Sequence, residues 1–470
     1  MSGTRVRWLV AGAFHPAPTG RRFPLTEQSF AEELRRATTG LRVTVPDRIG
    51  SGDTSTHTLS FGSLDAFGMS ALIASLPELR ALSALREAIS GTRPLAPEDA
   101  AQLRASLGEG RLTEALARAR TSRAASLALV EEALFTTARE LLQHPLVARL
   151  ESAWRGLHWL WTQCPASAGM ELEVLDVGPE ALVDTLAASL EGPALQRPDA
   201  CFLLDVGEDP ATPGRLAALG EQAWLPLVMA APASLGGAGL AGTQDFRPPD
   251  AWNRLRADEA SRWLCAALNP VVMRAERHGE VHAECLASPV LGVAVLLAAS
   301  FRDTHTFARL VGPGSPVRAP AVWRPQEARG PVATEACLSL REQQRLASRG
   351  LAGVSGWWDS WDVNLAAAPT VYGGRDAAPL PAQLLTGRIV RLAQELIERL
   401  PPQASPQAIS EVCARAASAF LPAGPGRRCE LHGEVVSLGR GERGLHVRAA
   451  LPPELAGTRL ELELTLPLRG

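Results

Sequence analysis

The sequence predicts a mixed α/β fold, in which a small N-terminal α/β region packs on a larger α/β region that ends in β-strands. Residues 200–205 and 225–230 are continuous apolar runs, as strands buried on both faces of a parallel sheet are. Helical patterns separate these runs, which is the alternation typical of an α/β layer. At the end of the chain, 429–438, 445–451 and 460–466 have strand character.

The N-terminal region alternates between strand and helix signals. Its predicted elements are a strand at 5–14, a helix opened by Thr26 or Ser29 with Phe30 and Leu34 on one face, strands at 41–45 and 58–61, and a helix over 72–85. We therefore predict a small domain over residues 1–90.

Residues 91–112 are rich in Pro, Gly and Ala, which predicts a linker with room for a short helix. We assign 113–470 to a second region, with an α/β layer at 171–305 and the closing strands at 429–470. The stretch 285–301 is short for a membrane span and predicts a buried helix. The other predicted elements of this region are helices at 112–142, 145–161, 179–190, 215–224, 258–268, 384–400 and 406–420 and a strand at 170–175.

The charged residues exclude several chemistries. The chain has 470 residues, and its 47 basic side chains are all arginine. Without lysine there is no P-loop, no kinase-type ATP site and no Schiff base. The 50 acidic residues give a net charge of −3, which argues against nucleic acid or an anionic membrane as partner.

The seven cysteines are scattered and form no C-x-x-C pair. Such a distribution is typical of reduced thiols in a cytoplasmic protein rather than of a disulfide framework or a zinc site. The N-terminal run 8–14 lacks the features of a signal peptide and predicts a first strand.

Few motifs suggest catalysis. Residues 237–242 fit G-x-G-x-x-G, but no tight strand–turn–helix surrounds them, so dinucleotide binding is not favoured. Asp205 and Asp209 follow a predicted strand, where they are either acids in a cleft or parts of a polar turn. Ser355 lacks the second glycine of a nucleophile elbow.

Two further clusters are candidates for binding. Between His278 and Cys285 the chain carries possible metal ligands, and on one strand His278, Glu280, His282 and Glu284 would share a face. The run WWDSW at 357–361 indicates aromatic packing in a core or a subunit contact, with ligand stacking as the alternative.

One long segment resembles a known family. Residues 144–160 read HPLVARLESAWRGLHWL. They resemble the H-P-x-x-x-x-L-E-x-x-W-R-G-L-x-x-L motif of the large subunit (TssC, or VipB) of the type VI secretion contractile sheath. Further segments resemble that subunit in the same order, at 202–235, 252–270 and 334–351.

The N-terminal region is similar to the small subunit of the same sheath (TssB, or VipA). The residues that carry this similarity are 9–14, Phe30 with Leu34, 59–67 and 76–82. The sequence therefore resembles both sheath subunits joined in one polypeptide.

The resemblance implies a structural subunit without catalytic residues, cofactor or metal. Such subunits polymerise in the cytoplasm around an Hcp inner tube and contract toward baseplate components. The residues that we assign to strand exchange between subunits are Cys429, Val435, Leu438, Val447, Leu451, Leu460, Leu462, Leu464 and Leu466. Those that we assign to the family-signature core are Trp154, Arg155, Gly156, Leu157, Glu335, Arg341 and Gly350.

The chain departs from the family in one respect. The family's subunits are separate chains, whereas here only 91–112 joins the two regions. This leaves open the usual strand connectivity and engagement by a ClpV-type ATPase, which takes hold of the large subunit's N-terminal segment in some systems. Two alternatives remain: a sheath-like scaffold or regulator that does not polymerise, and an α/β enzyme that uses Asp205 or the cluster at 278–285.

Overall fold

The structure is a computed structural model that covers the whole chain. The residues that it describes are 5–50, 52–92, 96–107, 110–119, 122–231, 235, 248–311, 317–325, 329–399, 405–421, 423–424, 427–439 and 442–467.

Among the described residues, nine strands form one mixed sheet with a parallel centre. Their order is β11 (Val317–Arg318), β13 (Asp362–Leu365), β12 (Leu351–Gly356), β8 (Leu264–Leu268), β7 (Leu227–Ala230), β6 (Ala200–Leu203), β1 (Val6–Gly12), β5 (Met170–Asp176) and β2 (Arg22–Pro24). The six strands from β12 to β5 are parallel. β2 and β13 pair antiparallel with their inner neighbours, and β11 pairs antiparallel with β13. The predicted mixed α/β class is therefore confirmed.

Helices cover both faces of this sheet. The described helices are α1 (Glu27–Thr38), α2 (Met69–Ser75), α3 (Pro77–Ser90), α4 (Pro97–Leu107), α5 (Arg111–Ala119), α6 (Arg123–Leu142), α7 (Pro145–Gln163), α8 (Leu182–Ser189), α9 (Thr212–Ala223), α10 (Asp250–Ala257), α11 (Pro289–Thr304), α12 (Leu340–Ser348), α13 (Leu380–Arg399), α14 (Pro406–Phe420) and α15 (Pro453–Ala456). Along β1, Trp8 and Val10 join the core that contains α7, α11 and α13. Leu9 and Ala11 point the other way, into the core that contains α8 and α9. The alternation of strand side chains thus divides the interior into two layers.

The N-terminal region is built into the large sheet. β1 lies between β5 and β6, with Trp8 opposite Leu172 on one side and Ala200 on the other. β3 (Leu41–Pro46) and β4 (Thr54–Leu59) form a separate antiparallel pair. Thr26 caps α1 through a capping box with Ser29. The boundaries 1–90, 91–112 and 113–470 remain predictions.

The C-terminal strands form a sheet of their own. β16 (Glu430–Gly439), β17 (Glu442–Leu451) and β18 (Leu460–Pro467) pair antiparallel in chain order. The short β14 (Ala423–Gly424) and β15 (Arg427–Arg428) form another pair. On β18, leucines that are half-buried alternate with exposed residues, so one face of the strand packs inward.

Three sequence predictions are wrong in detail. The single helix expected over 72–85 is two helices, α2 and α3, because Leu76 has an extended backbone and Pro77 begins a new helix. A helix was expected over 258–268, but Leu264–Leu268 is the central strand β8, preceded by a short 3-10 turn at Glu259–Trp263. A short apolar run is compatible with a buried strand and with a buried helix. Here its pairing with the parallel strands on either side makes the segment a strand. The single helix expected over 112–142 is two helices, α5 and α6.

The apolar stretch predicted as a buried helix is α11, whose residues from Pro289 to Phe301 are all buried. None of the helices that the structure describes combines the length and the hydropathy that a bilayer-spanning helix requires.

Candidate functional site: the junction around the signature helix

The segment that resembles the sheath signature forms the helix α7. The helix begins at Pro145, and the Nδ1 atom of His144 accepts a hydrogen bond from the Leu146 amide at 3.3 Å. Proline suits the first helical position because its missing N–H would have no partner there. α7 lies between the N-terminal region and α11, and the signature residues Trp154, Gly156 and Leu157 are all buried.

Trp154 ties α7 to the N-terminal region. Its indole Nε1 donates a hydrogen bond to the Phe14 carbonyl at 2.9 Å. Its ring makes edge contacts with Phe14 and Phe30, with centroids 5.4 and 5.3 Å apart. A large aromatic side chain with a satisfied polar atom is suited to such an anchor.

Glu151 is the centre of a buried charge network. Arg274 of β9 (Val271–His278) donates two hydrogen bonds to its carboxylate, from Nε at 2.6 Å and Nη2 at 2.8 Å. Arg155, one turn further along α7, donates from Nε at 2.7 Å. A bidentate guanidinium–carboxylate pair combines charge with fixed geometry. The network therefore holds α7 against β9 in one orientation.

The same network reaches the N-terminal region at two points. Arg155 also donates from Nη2 to the Leu64 carbonyl at 2.7 Å. Arg274 lies 3.2 Å from Glu276, whose carboxylate accepts the Met69 amide at 2.8 Å, at the start of α2. Burial alone would lower the pKa of Arg274, but Glu151, together with Glu276, raises it above its usual value.

Gly156 allows α7 and α11 to approach each other closely. A Cβ atom at this position would lie 2.3 Å from Leu291 Cδ1 and 3.1 Å from Ala287 Cβ. Both distances are shorter than ordinary van der Waals contact, so a methyl group here would displace the buried Leu291 side chain and press on Ala287. The constraint on the signature glycine is therefore packing rather than backbone conformation.

We expect Gly156→Ala to destabilise the protein by about 1–3 kcal/mol, because the added methyl group overpacks this contact. Gly214 is the matched control, since it also lies in a helix but has open space around its Cβ position. There the same substitution is expected to be neutral or to stabilise by up to about 1 kcal/mol, through helix propensity. Urea unfolding of both variants measures the difference, and equal shifts would contradict the packing role of Gly156.

The remaining signature residues lie apart from this junction. Gly350 ends α12 with a φ of 77°, and a Cβ there would lie 2.8 Å from the Val371 carbonyl oxygen. This position therefore requires glycine on both counts. Glu335 and Arg341 are exposed, and the Glu335 amide donates to the Pro270 carbonyl at 2.8 Å.

The residues assigned to strand exchange lie on the C-terminal sheet, except Cys429, which directly precedes β16. Val447 and Leu451 are buried in that sheet, whereas Leu460, Leu462, Leu464 and Leu466 are half-buried on the inner face of β18. Cys429 and Val435 are also partly buried. Leu438 is part of β16, and its side chain is not among those that the structure describes. Within the described part of the chain, β18 has no strand neighbour beyond β17.

A second buried charge cluster was not predicted from the sequence. Asp199 lies 2.5 Å from Arg388 and 2.7 Å from Arg391, and both guanidinium groups are fully buried. Arg391 also donates to the carbonyls of Arg197 and Pro198, at 3.1 and 2.7 Å. Two arginines three residues apart in the apolar helix α13 are the signal that could have indicated a buried ion pair.

The cluster holds α13 against the start of the large sheet. Besides Asp199, the guanidinium of Arg388 bonds the Arg5 carbonyl at 3.0 Å, and the Arg7 amide donates to Asp199 at 2.9 Å. Burial alone would raise the pKa of Asp199, but Arg388 and Arg391 lower it below its usual value. The carboxylate is thus ionised and bridges α13 to β1.

A third buried carboxylate lies where β1 ends. Asp176 accepts the Phe14 amide at 2.8 Å and the Thr19 amide at 2.7 Å, and lies 2.9 Å from His15 Nδ1. Although burial alone would raise the pKa of Asp176, hydrogen bonds from His15 and Thr19 lower it. These contacts fix the loop that follows β1.

The candidate catalytic and metal-binding groups do not converge. Asp205 accepts the Gly207 amide and Asp209 accepts the Ala211 amide, so both lie in turns. Ser355 is fully buried, and its hydroxyl bonds the backbone of Leu338. The motif at 237–242 lies outside the described residues.

His278, Glu280, His282 and Glu284 would share a face only on one strand, and they do not lie on one. A turn at Gly279 separates β9 from β10 (Val281–Ala287), and His278 stacks on Phe135 at 4.5 Å. Cys285 is buried, and burial raises the pKa of its thiol. The described residues contain no group of three or more His, Cys, Asp or Glu placed to hold a metal ion.

The tryptophans of the WWDSW run are exposed rather than packed in a core. They lie in the turn between β12 and β13, and Trp357, Trp358 and Trp361 are 49%, 37% and 41% exposed. Of the two interpretations that the sequence favoured, core packing is therefore wrong, and a contact with another molecule remains.

No family model and no curated protein matches the chain. Among solved structures, the chain is similar to the anti-feeding prophage helical sheath in its contracted state (14% identity, TM-score 0.39, 68% of this chain and 79% of that one). It is also similar to the sheath complex of an extracellular contractile injection system, PVC, in its contracted state (12%, 0.38, 70% and 81%). A third similar chain comes from the anti-feeding prophage baseplate (13%, 0.38, 68% and 78%). TM-scores below 0.5 do not establish a common fold.

Proposed function

We propose that this chain is a structural subunit of a contractile sheath of the type VI secretion kind, with regions like the small and the large sheath subunit in one polypeptide. In this proposal it polymerises in the cytoplasm around an Hcp-like inner tube, contracts toward baseplate components, and has no catalytic residues or cofactor. Recycling by a ClpV-type ATPase stays open because the large-subunit-like region does not begin at a free end of this chain.

The observation that carries the proposal is the junction around α7. The residues of the signature segment form no catalytic arrangement; Trp154, Glu151 and Arg155 instead bond or pack against the N-terminal region and β9. β1 of the small-subunit-like region also lies inside the large sheet. Two subunits that function as one rigid unit require contacts of this kind. A covalent link between the two regions is compatible with such a unit.

The edge of the C-terminal sheet supports assembly by strand exchange. β18 is eight residues long and has β17 as its strand neighbour among the described residues. An edge of this length presents unpaired backbone donors and acceptors, and β-augmentation by a neighbouring chain would satisfy them. Contraction would then be a transition between two packings of one lattice, without chemistry in the subunit.

Electron microscopy of the purified full-length protein tests the function. Helical tubes with a hollow, cogwheel-shaped cross-section are the expected result. A protein that stays monomeric at high concentration would overturn the proposal and favour a scaffold or regulator that does not polymerise. Bound metal, lost on substitution of His278 and His282, would favour an enzyme.

A pair of proline substitutions tests the role of the β18 edge. Successive N–H groups along a strand point alternately toward the neighbouring strand and away from it. Of the two variants Glu463→Pro and Leu464→Pro, one therefore loses a hydrogen bond to β17 and the other loses an outward-pointing N–H donor. We expect the variant that loses the bond to β17 to have a lower melting temperature, and the variant that loses the outward donor to melt near the wild-type value but form no tubes.

Glu463→Ala and Leu464→Ala are the controls for this pair, because they remove the same side chains and keep the N–H groups. Both should still form tubes. Tubes formed by the proline variant with the native melting temperature would exclude strand exchange at this edge.

A further inference from the structure

The turn between β12 and β13 presents three tryptophans on the surface. Trp357, Trp358 and Trp361 are each more than one-third exposed, in a chain whose other described tryptophans include the fully buried Trp8 and Trp154. The turn is firmly held: Asp359 adopts a φ of 59°, and its amide donates to the Pro331 carbonyl at 2.8 Å. Exposed aromatic rings on an ordered turn are typical of a contact surface.

A contact within the chain indicates the kind of group that these rings suit. The guanidinium of Arg318 lies over the ring of Trp361, with Cζ 5.4 Å from the ring centroid. Tryptophan is the aromatic ring that attracts cations most strongly. Trp357 and Trp358 have no such cation among the contacts that the structure describes, and both side chains are exposed.

The charges around the rings favour the same kind of partner. Asp359 and Asp362 flank Trp361, and neither carboxylate has an ion pair within the described part of the chain. Asp362 lies opposite Arg318 in the pairing of β13 with β11. The Arg318 guanidinium nevertheless lies over the Trp361 ring and forms no ion pair with Asp362 among the described contacts. Open indole rings beside unpaired carboxylates match a guanidinium, which can stack on the former and pair with the latter.

We propose that this turn is an arginine-binding contact between copies of the chain: Trp357, Trp358, Asp359 and Asp362 of one copy bind an arginine-bearing surface of a second copy. A second copy is the occupant because the proposed function is self-assembly, and the cations that such a copy can supply are all arginine, 47 in the chain. The inference rests on the proposed self-assembly and adds a side-chain contact to the backbone contact at β18.

Sedimentation velocity of the full-length protein over a range of concentrations tests the contact. We expect Trp357→Ala with Trp358→Ala to raise the concentration needed for half-association at least about tenfold, without a change in melting temperature. Asp359→Asn with Asp362→Asn should raise it several-fold and reduce its dependence on salt. Trp357→Phe with Trp358→Phe keeps an aromatic face and should have an intermediate effect.

Val311→Ala is the surface control, since Val311 is also exposed but lies outside the turn, and it should associate like the wild type. Hydroxyl-radical footprinting provides a local readout. Association should protect Trp357 and Trp358 from oxidation, whereas the buried Trp8 should stay unreactive throughout.

Three outcomes would overturn the inference: tryptophan variants that associate like the wild type, an association that the aspartate variant leaves unchanged, or a wild-type protein that stays monomeric. The second outcome would indicate an apolar partner surface. A wild type that associates through these tryptophans but forms no tubes would support this inference while the proposed sheath function fails.

Discussion

Asp199→Asn is expected to destabilise the protein by about 3–5 kcal/mol, because it leaves two fully buried guanidinium groups without a carboxylate. Removing one partner of a buried ion pair costs far more than the pair contributes relative to apolar residues. The loss should appear in urea unfolding at pH 7 as a lower midpoint. It should also weaken the contact between α13 and the sheet, so that amide exchange increases more over the wild type in Leu380–Arg399 than in β7.

Asp184→Asn is the matched control. Asp184 pairs with Arg215 at 2.8 Å, but its side chain is 82% exposed. Surface pairs of this kind contribute up to about 1 kcal/mol, so this variant should unfold almost like the wild type. Equal losses for the two variants would show that the buried cluster is not held by its charges.

The effect of Asp199→Asn should depend on pH. The two arginines lower the folded-state pKa of Asp199 below its unfolded value of about 3.9. The stabilisation is therefore fully present above that value and is lost as pH falls through the folded pKa. We expect a constant difference between wild type and variant from pH 7 to about pH 5, and a smaller difference below about pH 4. A difference that grows in acid would contradict this assignment.

Glu151→Gln is expected to have a comparable effect, about 3–5 kcal/mol, because Arg274 would remain buried without its bidentate partner. Arg155 would lose its carboxylate as well, and with it the geometry that directs Nη2 to the Leu64 carbonyl. The unfolding midpoint should fall. The contacts between α7 and the N-terminal region should weaken, so that limited proteolysis cuts within 1–90 sooner than in the wild type.

Two further variants identify the cause of this loss. Glu131→Gln is the control, since Glu131 pairs with Arg86 at 2.7 Å in a half-exposed position and should cost less than about 1 kcal/mol. Glu151→Leu combined with Arg274→Met removes both charges. Arg155 still loses its carboxylate and Glu276 its guanidinium neighbour, but neither member of the buried bidentate pair is left without the other. The double variant should therefore be less destabilised than the sum of its single variants. Additive losses would argue against a coupled network.

Parts of the fold could be predicted from local patterns. The period-two alternation of β3, the capping residues before Phe30 and the apolar helix α11 each depend on neighbours in the sequence, and the structure has all three. Leu264–Leu268 could not be assigned in this way, because all of its residues are apolar and such a run fits a buried strand and a buried helix equally well. Only the pairing of β8 with β7 and β12 makes it a strand.

The candidate site was predictable only in part. The signature segment located Trp154 and Gly156, yet their partners Phe14 and Leu291 lie more than one hundred residues away along the chain. Arg274 lies outside that segment, and nothing in the sequence near it indicates that it pairs with Glu151.

The sequence by itself determined the composition, the absence of lysine, the mixed α/β class and the places of those helices and strands that have a clear local pattern, because these depend on residue type and local periodicity. The tertiary structure decided which charges are buried together, that β1 lies between β5 and β6, and that the tryptophans at 357–361 face outward. These are long-range properties: burial and pairing arise when distant segments exclude water from one another, and no local pattern records which segments will meet.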